Sequence, residues 1–201
     1  MNRFKIPLRL LDWKKLKKTG KGYTKREWTV VQLLKDISKD KQIRSLLSVG
    51  FHDYQDIRNR WWIDLCRKNN INWHILEIFQ KNVERYKTQC PLADIDRITC
   101  GDVREIDTLF SNKFDIIIHW HGPEHLYKED FLHALPKIEN TASMMIIFGC
   151  PNGVEEQAVI YGNPYEEHVS FWSTDEFNEL GYKTILIQDK RPGHITAYKY
   201  I

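Results

Sequence analysis

The sequence predicts an α/β fold, in which a doubly wound, mostly parallel β-sheet carries helices on both faces. Continuous apolar runs such as 114–120, FDIIIHW, and 143–150, SMMIIFGC, are typical of strands that are buried on both faces. Amphipathic segments alternate with these runs, and right-handed crossovers place such segments on the two sides of a parallel sheet. The chain has 201 residues and no low-complexity linker, which favours one domain over 25–201 behind a basic arm, 1–24.

The first half of the chain begins with a helix and continues with strands and helices in turn. Helical spacing of Trp28, Val31 and Leu34 predicts the first helix over 25–39. The elements predicted after it are a strand over 44–50, a helix over roughly 54–69, a strand over 72–78, a helix over 79–89, a strand over 96–102 and a short helix over 104–112.

The second half starts with the two strongest strand signals, 114–120 and 143–150, and a helix is predicted between them over 124–140. Pro136 should bend that helix or end it early, because proline has no N–H to donate. A long loop follows residue 150, and Ser173 or Thr174 caps the next helix. The runs KTILIQDK and HITAYKYI, on either side of 191–193, then predict a closing hairpin.

Composition excludes several classes of protein. Hydrophobic residues make up 42% of the chain and charged residues 28%, as in ordinary globular domains, and no uncharged apolar run reaches the ~18 residues of a membrane span. The four cysteines contain no C-x-x-C pair, so we expect reduced thiols and a cytoplasmic protein. The basic stretch 14–26 is either a solvated segment or an arm that attracts an anionic substrate. It lacks interleaved aromatic residues, which argues against nucleic-acid binding.

Acidic residues follow two neighbouring strands of the predicted sheet. Ligands of open α/β sheets bind at the carboxyl ends of the strands. Glu77 ends the second strand and could accept both hydroxyls of a ribose, while Asp102 ends the third and suits an adenine amino group. Together they outline a nucleoside site, although each carboxylate could instead cap the helix that follows it.

From about residue 30 to residue 200 the sequence resembles the class I S-adenosylmethionine-dependent methyltransferases. Six segments match that family's motifs in the family's order: RSLLSVG, ILEIFQKNVERYK, ITCGDVRE, FDIIIHWHGPEHLYKEDF, MIIFGCPNG and HVSFWSTDEFNELGYKTILI. The resemblance implies a seven-stranded Rossmann-like sheet with an antiparallel C-terminal hairpin. It also implies that S-adenosylmethionine is the cofactor.

The resemblance assigns roles to residues at the strand ends. Glu77 would hold the ribose and Asp102 with Val103 the adenine, while His119 and Trp120 would lie beside the methionine portion. The implied cofactor-binding residues are Ser48, Gly50, Phe51, Glu77, Ile78, Asp102, Val103, His119 and Trp120.

The first motif departs from the family's pattern of one acidic residue and three alternating glycines. Ser48 stands at the acidic position, and His52 and Tyr54 replace two of the glycines. Bulky side chains there can fill space that a cofactor needs. This departure motivates a second hypothesis, a non-catalytic methyltransferase-like binding or partner protein.

Three histidines and a glutamate follow the fourth strand. Strand alternation predicts His119 and His121 on the same side. His121, His125 and Glu124 are the predicted catalytic residues, because a side chain near the pocket with a suitable pKa can accept a substrate proton. Helix capping is the structural alternative. A metal site, as in a metal-dependent hydrolase, is a third hypothesis that needs ligands from 166–168; the leading interpretation assigns no metal ligands.

By the same resemblance, the loop 161–168 lies where class I methyltransferases often bind the acceptor. Tyr161, Tyr165 and His168 are the predicted acceptor-binding residues, since aromatic rings can stack on a planar or sugar-like molecule. The leading hypothesis is therefore methyl transfer to a small-molecule or glycan-type acceptor, with the methylated atom and the oligomeric state left open.

Overall fold

The structure, a computed structural model, describes residues 25–50, 65–89, 97–188 and 191–201. Within these residues seven strands form one sheet in the order β3-β2-β1-β4-β5-β7-β6. The strands are β1 Ser45–Val49, β2 Asn72–Glu77, β3 Ile98–Cys100, β4 Phe114–Trp120, β5 Ala142–Pro151, β6 Lys183–Ile187 and β7 His194–Tyr200. The first five pair in parallel, and β7 is antiparallel to both β5 and β6. The predicted seven-stranded fold with its C-terminal hairpin is confirmed.

Among the described residues, five helices and several short 3-10 turns accompany the strands, and residues 65–68 are also helical. The helices are α1 Lys25–Ser38, α2 Gln80–Gln89, α3 Ile106–Leu109, α4 Lys128–Thr141 and α5 Thr174–Glu179. Ser173 caps α5 as predicted, in a capping box with Glu176. None of the described helices is long and apolar enough to cross a membrane.

Alternate residues of the central strands pack on opposite faces of the sheet. Leu46 and Ile116 belong to a buried cluster that α1 and α2 cover. Leu47 and Ile117 belong to a second cluster that α3, α4 and α5 cover. Both faces of the sheet are therefore shielded from water. This is why the central strands are apolar throughout and do not alternate apolar with polar residues.

The helix after β4 differs from its prediction. It begins at Lys128 rather than at 124, because Pro123–His125 form a separate 3-10 turn. It also continues through Pro136 to Thr141, so the expectation of an early end is wrong. Pro136 is exposed while Phe131 and Ile138 are fully buried, and packing on that face holds the helix together.

Several predictions concern residues outside the described ranges. These are the basic arm 1–24, most of the helix predicted over 54–69, and the positions Phe51, His52 and Tyr54.

Candidate cofactor and acceptor site at the carboxyl edge

Most of the candidate site residues predicted from the sequence lie at one edge of the sheet. Strands β1 to β5 end there, and β7 begins there because it runs in the opposite direction, with His194 opposite Pro151. We call this the carboxyl edge. In open α/β sheets it is the edge at which ligands bind, next to the switch in strand order between β1 and β4.

Gly50 and Glu77 lie side by side at this edge. Gly50 has a φ of +70°, and apart from its chain neighbours no atom of the described residues lies within 4 Å of the position that a Cβ would occupy. Its amide donates to the carbonyl of Leu76 over 2.8 Å, which fixes the turn against the end of β2. Glu77 is buried, and its Oε1 accepts from the amide of Phe79 over 2.9 Å. A glycine in this conformation lets backbone approach a ligand beside a buried carboxylate.

Asp102 caps the turn that follows β3. Its Oδ1 accepts from the amide of Arg104 over 2.9 Å, and its Oδ2 accepts from the Arg104 guanidinium over 2.6 Å. Burial opposes ionisation, but these bonds hold the pKa of Asp102 below its ordinary value. Val103, next to it, buries its side chain in the core. The capping alternative therefore applies to Asp102, and any ligand there must share the carboxylate with Arg104.

Two further predicted cofactor contacts are already engaged by neighbours. The hydroxyl of Ser48 accepts from the indole Nε1 of Trp73 over 2.9 Å. The carbonyl of Ile78 accepts a weak bond from the thiol of Cys100 over 3.8 Å. Both residues lie beside the Gly50–Glu77 pair, and each of these contacts stabilises the fold without a ligand.

His119 is buried at the end of β4. Its ring lies directly over Gly122, where an added Cβ would come within 1.8 Å of the His119 Cδ2. Burial, opposed in part by the charge of Glu124, lowers the pKa of His119 to about 4, so the imidazole is neutral near pH 7. Its Nδ1 has no hydrogen-bond partner among the described residues.

Trp120 and His194 pack against each other as a tilted pair of rings. Trp120 lies on Gly149, whose missing Cβ leaves room for the indole, and its ring centroid is 4.7 Å from that of His194. His194 is fully buried, and burial together with the charges of His121 and Arg26 lowers its pKa to about 2.

The prediction that His119 and His121 share one side of the strand is wrong. Strand β4 ends at Trp120, and His121 has a φ of +51°, so the alternation stops. The centroid of the His121 ring instead lies 5.0 Å from that of His194, which packs against Trp120.

His121 and Glu124 form an oriented pair. The Nδ1 of His121 donates to the Glu124 Oε1 over 3.1 Å, so Nε2 is the ring nitrogen that remains for another partner. Glu124 is only 2% exposed. Burial disfavours its ionised form, but the bond from His121 and the charges of His121 and His125 hold its pKa below the ordinary value. Glu124 thus fixes the orientation of the His121 ring through one of its two nitrogens.

The loop between β5 and α5, residues 152–172, crosses the carboxyl edge. At one end its His168 ring lies 4.9 Å from the ring of His125. At the other end Tyr165 contacts Phe79, just beyond Glu77, at a centroid distance of 6.4 Å. Tyr161 is 99% exposed at the tip of the loop. The structure thus brings two of the three predicted acceptor-binding residues to the site and leaves Tyr161 in solvent.

His194 is the site residue that the sequence prediction missed. The signal was present, because an antiparallel last strand must start at the carboxyl edge, and HITAYKYI opens on a histidine directly after Gly193. What could not be foreseen is the position of β7 between β5 and β6, which sets His194 beside Trp120.

The strand order and the antiparallel β7 define the Rossmann-like fold of S-adenosylmethionine-dependent methyltransferases. The structure is similar to such a methyltransferase from Archaeoglobus fulgidus, with 16% identity, a TM-score of 0.58 and coverage of 94% of this chain and 100% of that one. It is also similar to the methyltransferase domain of bacterial CtHen1-CN, with 20% identity, a TM-score of 0.57 and coverage of 88% and 97%.

A third similar structure is magnesium protoporphyrin IX methyltransferase from Synechocystis, solved with bound S-adenosylmethionine. It is 12% identical, with a TM-score of 0.53 and coverage of 96% of this chain and 85% of that one. The sequence itself matches no protein-family model and no curated protein. At these identities the likeness establishes the fold.

Proposed function

We propose that the protein is an S-adenosylmethionine-dependent methyltransferase that acts on a small-molecule or glycan-type acceptor. The observation that carries the proposal is the pairing of Gly50, in a left-handed conformation, with the buried carboxylate of Glu77 on the adjoining strand end. The glycine gives a ligand access to backbone, and the carboxylate can accept the two hydroxyls of a ribose. Both stand where this class of sheet binds ligands.

The surrounding residues fit such a cofactor. Glu77 would take the ribose and Asp102 the adenine, in competition with Arg104, while His119 would lie beside the methionine portion. When bound, S-adenosylmethionine supplies an electrophilic methyl group on a positively charged sulfur. The imidazole of His119 is neutral, so it adds no like charge next to that sulfur.

His121 is the best-placed base for the acceptor. Glu124 orients its ring, and Nε2 can take a proton from an acceptor O–H or N–H as the methyl group arrives. Tyr165 and His168 border the same edge on the β5–α5 loop, so we place the acceptor between that loop and β4.

Cofactor binding is tested by calorimetric titration of S-adenosylmethionine and its demethylated product. We expect the natural chain to bind both, and Glu77→Gln to bind at least about tenfold more weakly, because hydrogen bonds to a charged group contribute about 1.5–3 kcal/mol. Glu84→Gln, on the exposed surface of α2, is the matched control. Failure of the natural chain to bind either compound overturns the proposal and favours the non-catalytic hypothesis.

The base is tested by the transfer of a labelled methyl group to fractionated small metabolites and sugars. Once an acceptor fraction is found, we expect His121→Asn to lower turnover by about 10²–10⁴ while cofactor affinity is kept. His133→Asn, an exposed histidine of α4, is the control. Full turnover in the His121 variant shows that the acceptor loses its proton elsewhere.

A further inference from the structure

We propose that Glu124, His125 and His168 form a binding site for one divalent transition-metal ion, of which Zn²⁺ is the representative. One potential ligand atom from each residue lies within 4.8 Å of the other two. The residues come from the turn after β4 and from the β5–α5 loop, 43 positions apart in sequence. Binding of the ion does not depend on methyl transfer.

Both imidazoles have the tautomer that a metal needs. His125 Nδ1 donates to the carbonyl of Glu167 over 3.0 Å, and His168 Nδ1 donates to the carbonyl of Glu155. A carbonyl oxygen can only accept, so each Nδ1 carries the hydrogen and each Nε2 keeps its lone pair. Histidines that ligate metals almost always donate their other nitrogen to a carbonyl or carboxylate in this way.

Glu124 supplies an oxygen that lacks a partner. Its Oε1 accepts from His121, whereas Oε2 is buried and has no hydrogen bond among the described residues. Leaving a buried carboxylate oxygen unpaired is costly, and a bound cation removes that cost. The orphaned oxygen is thus an observation independent of the two histidines.

Backbone bonds hold the two chain segments in register. The carbonyl of Glu124 accepts from the amides of Val169 and Ser170, over 2.9 and 3.1 Å. The hydroxyl of Ser170 also donates to the carbonyl of Pro123 over 3.0 Å. Ligand atoms around a tetrahedral ion stand about 3.3 Å apart, so an ion has to draw these side chains together by at most about 1.5 Å.

The chemistry of the ligands favours a transition metal. Two imidazoles and one carboxylate suit zinc and its first-row neighbours, whereas Mg²⁺ and Ca²⁺ prefer oxygen ligands alone. His125 and His168 are half-buried, which leaves a path for the ion. Three protein ligands also leave at least one coordination position open.

The test uses the full chain without a histidine tag, stripped with a chelator and titrated with Zn²⁺ by calorimetry. Co²⁺ is titrated separately, and its visible absorption reports imidazole coordination. We expect one ion per chain, tighter for Zn²⁺ than for Mg²⁺, and affinity at least about tenfold lower in His125→Ala and in His168→Ala. His133→Ala is the matched control and should bind as the natural chain does.

Two outcomes overturn the proposal: the natural chain binds no stoichiometric Zn²⁺, or both variants bind it as tightly as the natural chain does. Thermal unfolding of each apo variant verifies folding, and because His168 lies on a loop, its substitution supplies a folded variant even if another fails. Metal binding is measured without S-adenosylmethionine, and cofactor binding is measured in chelator. Failure of one proposal therefore leaves the result on the other intact.

Discussion

Replacing His194 with phenylalanine tests how the carboxyl edge responds to acid. His194 is fully buried beside Trp120, and neither of its ring nitrogens has a hydrogen-bond partner among the described residues. Burial, with smaller contributions from the charges of His121 and Arg26, lowers its pKa to about 2. Phenylalanine keeps an aromatic ring packed against Trp120 and removes the titrating group.

The magnitude follows from proton linkage. An unfolded histidine takes up its proton below about pH 6.5, whereas folded His194 does so only near pH 2, so the unfolded chain binds more protons between these values. The free energy of unfolding therefore falls as the pH falls below 6.5. For these two pKa values the loss between pH 7 and pH 5 is about 2 kcal/mol from this one residue.

Urea denaturation at pH 7 and pH 5 measures the effect in the natural chain, His194→Phe and the exposed control His133→Phe. We expect the natural chain and the control to lose stability in parallel, and His194→Phe to lose about 2 kcal/mol less. His119, whose pKa burial lowers to about 4, adds acid sensitivity to all three proteins equally. Equal losses in all three refute the assignment of a buried neutral His194.

Three further outcomes follow from the packing. Gly122→Ala sets a methyl group within 1.8 Å of the His119 Cδ2, and we expect it to cost about 1–3 kcal/mol in urea denaturation and to weaken cofactor binding in calorimetry. Asp115→Ala removes a carboxylate that accepts from two amides leading into β1, and should cost about 2–3 kcal/mol with cofactor affinity retained in the folded variant. Burial raises the pKa of Cys66 to about 12, so site-resolved mass spectrometry should find exposed Cys100 alkylated at once and Cys66 only after unfolding.

Each of these outcomes has a clear contrary result. Unchanged stability in Gly122→Ala means that the His119 ring does not lie over this glycine. Loss of cofactor binding in folded Asp115→Ala means that the far end of the sheet controls the site. Rapid alkylation of Cys66 in the native chain means that this thiol becomes accessible without global unfolding.

The strands were predictable because burial on both faces leaves a strong local signal. β4 was predicted over 114–120 and observed over Phe114–Trp120, since a run of apolar residues bounded by polar ones admits few alternatives. The same logic placed Glu77 at the end of the second strand, where the structure has it, while its role as a cofactor contact stays a prediction. The sheet order depends on which strands meet in space, so local pattern does not predict it; the number of strands and the closing hairpin came from the resemblance.

The geometry after β4 was not predictable from periodicity. The left-handed conformation of His121 breaks the alternation on which its placement relied, and a histidine adopts this conformation too rarely for propensity to predict it. The meeting of His125 with His168 depends on a loop whose path is fixed by backbone bonds to Glu124. Long-range hydrogen bonds of this kind leave no trace in the spacing of residues.

The interior position of β7 ties ligand binding to the completion of the sheet. Strands β5 and β6 precede β7 in sequence, yet β7 lies between them, so the β5 edge stays unpaired until residues 194–200 are inserted. Such a non-local pairing is a late event in folding because its loop-closure entropy must be paid first. The same insertion delivers His194 to the carboxyl edge. A ligand that contacts His194 should therefore bind chains in which β7 has joined the sheet. It should not bind chains in which only the parallel strands have formed.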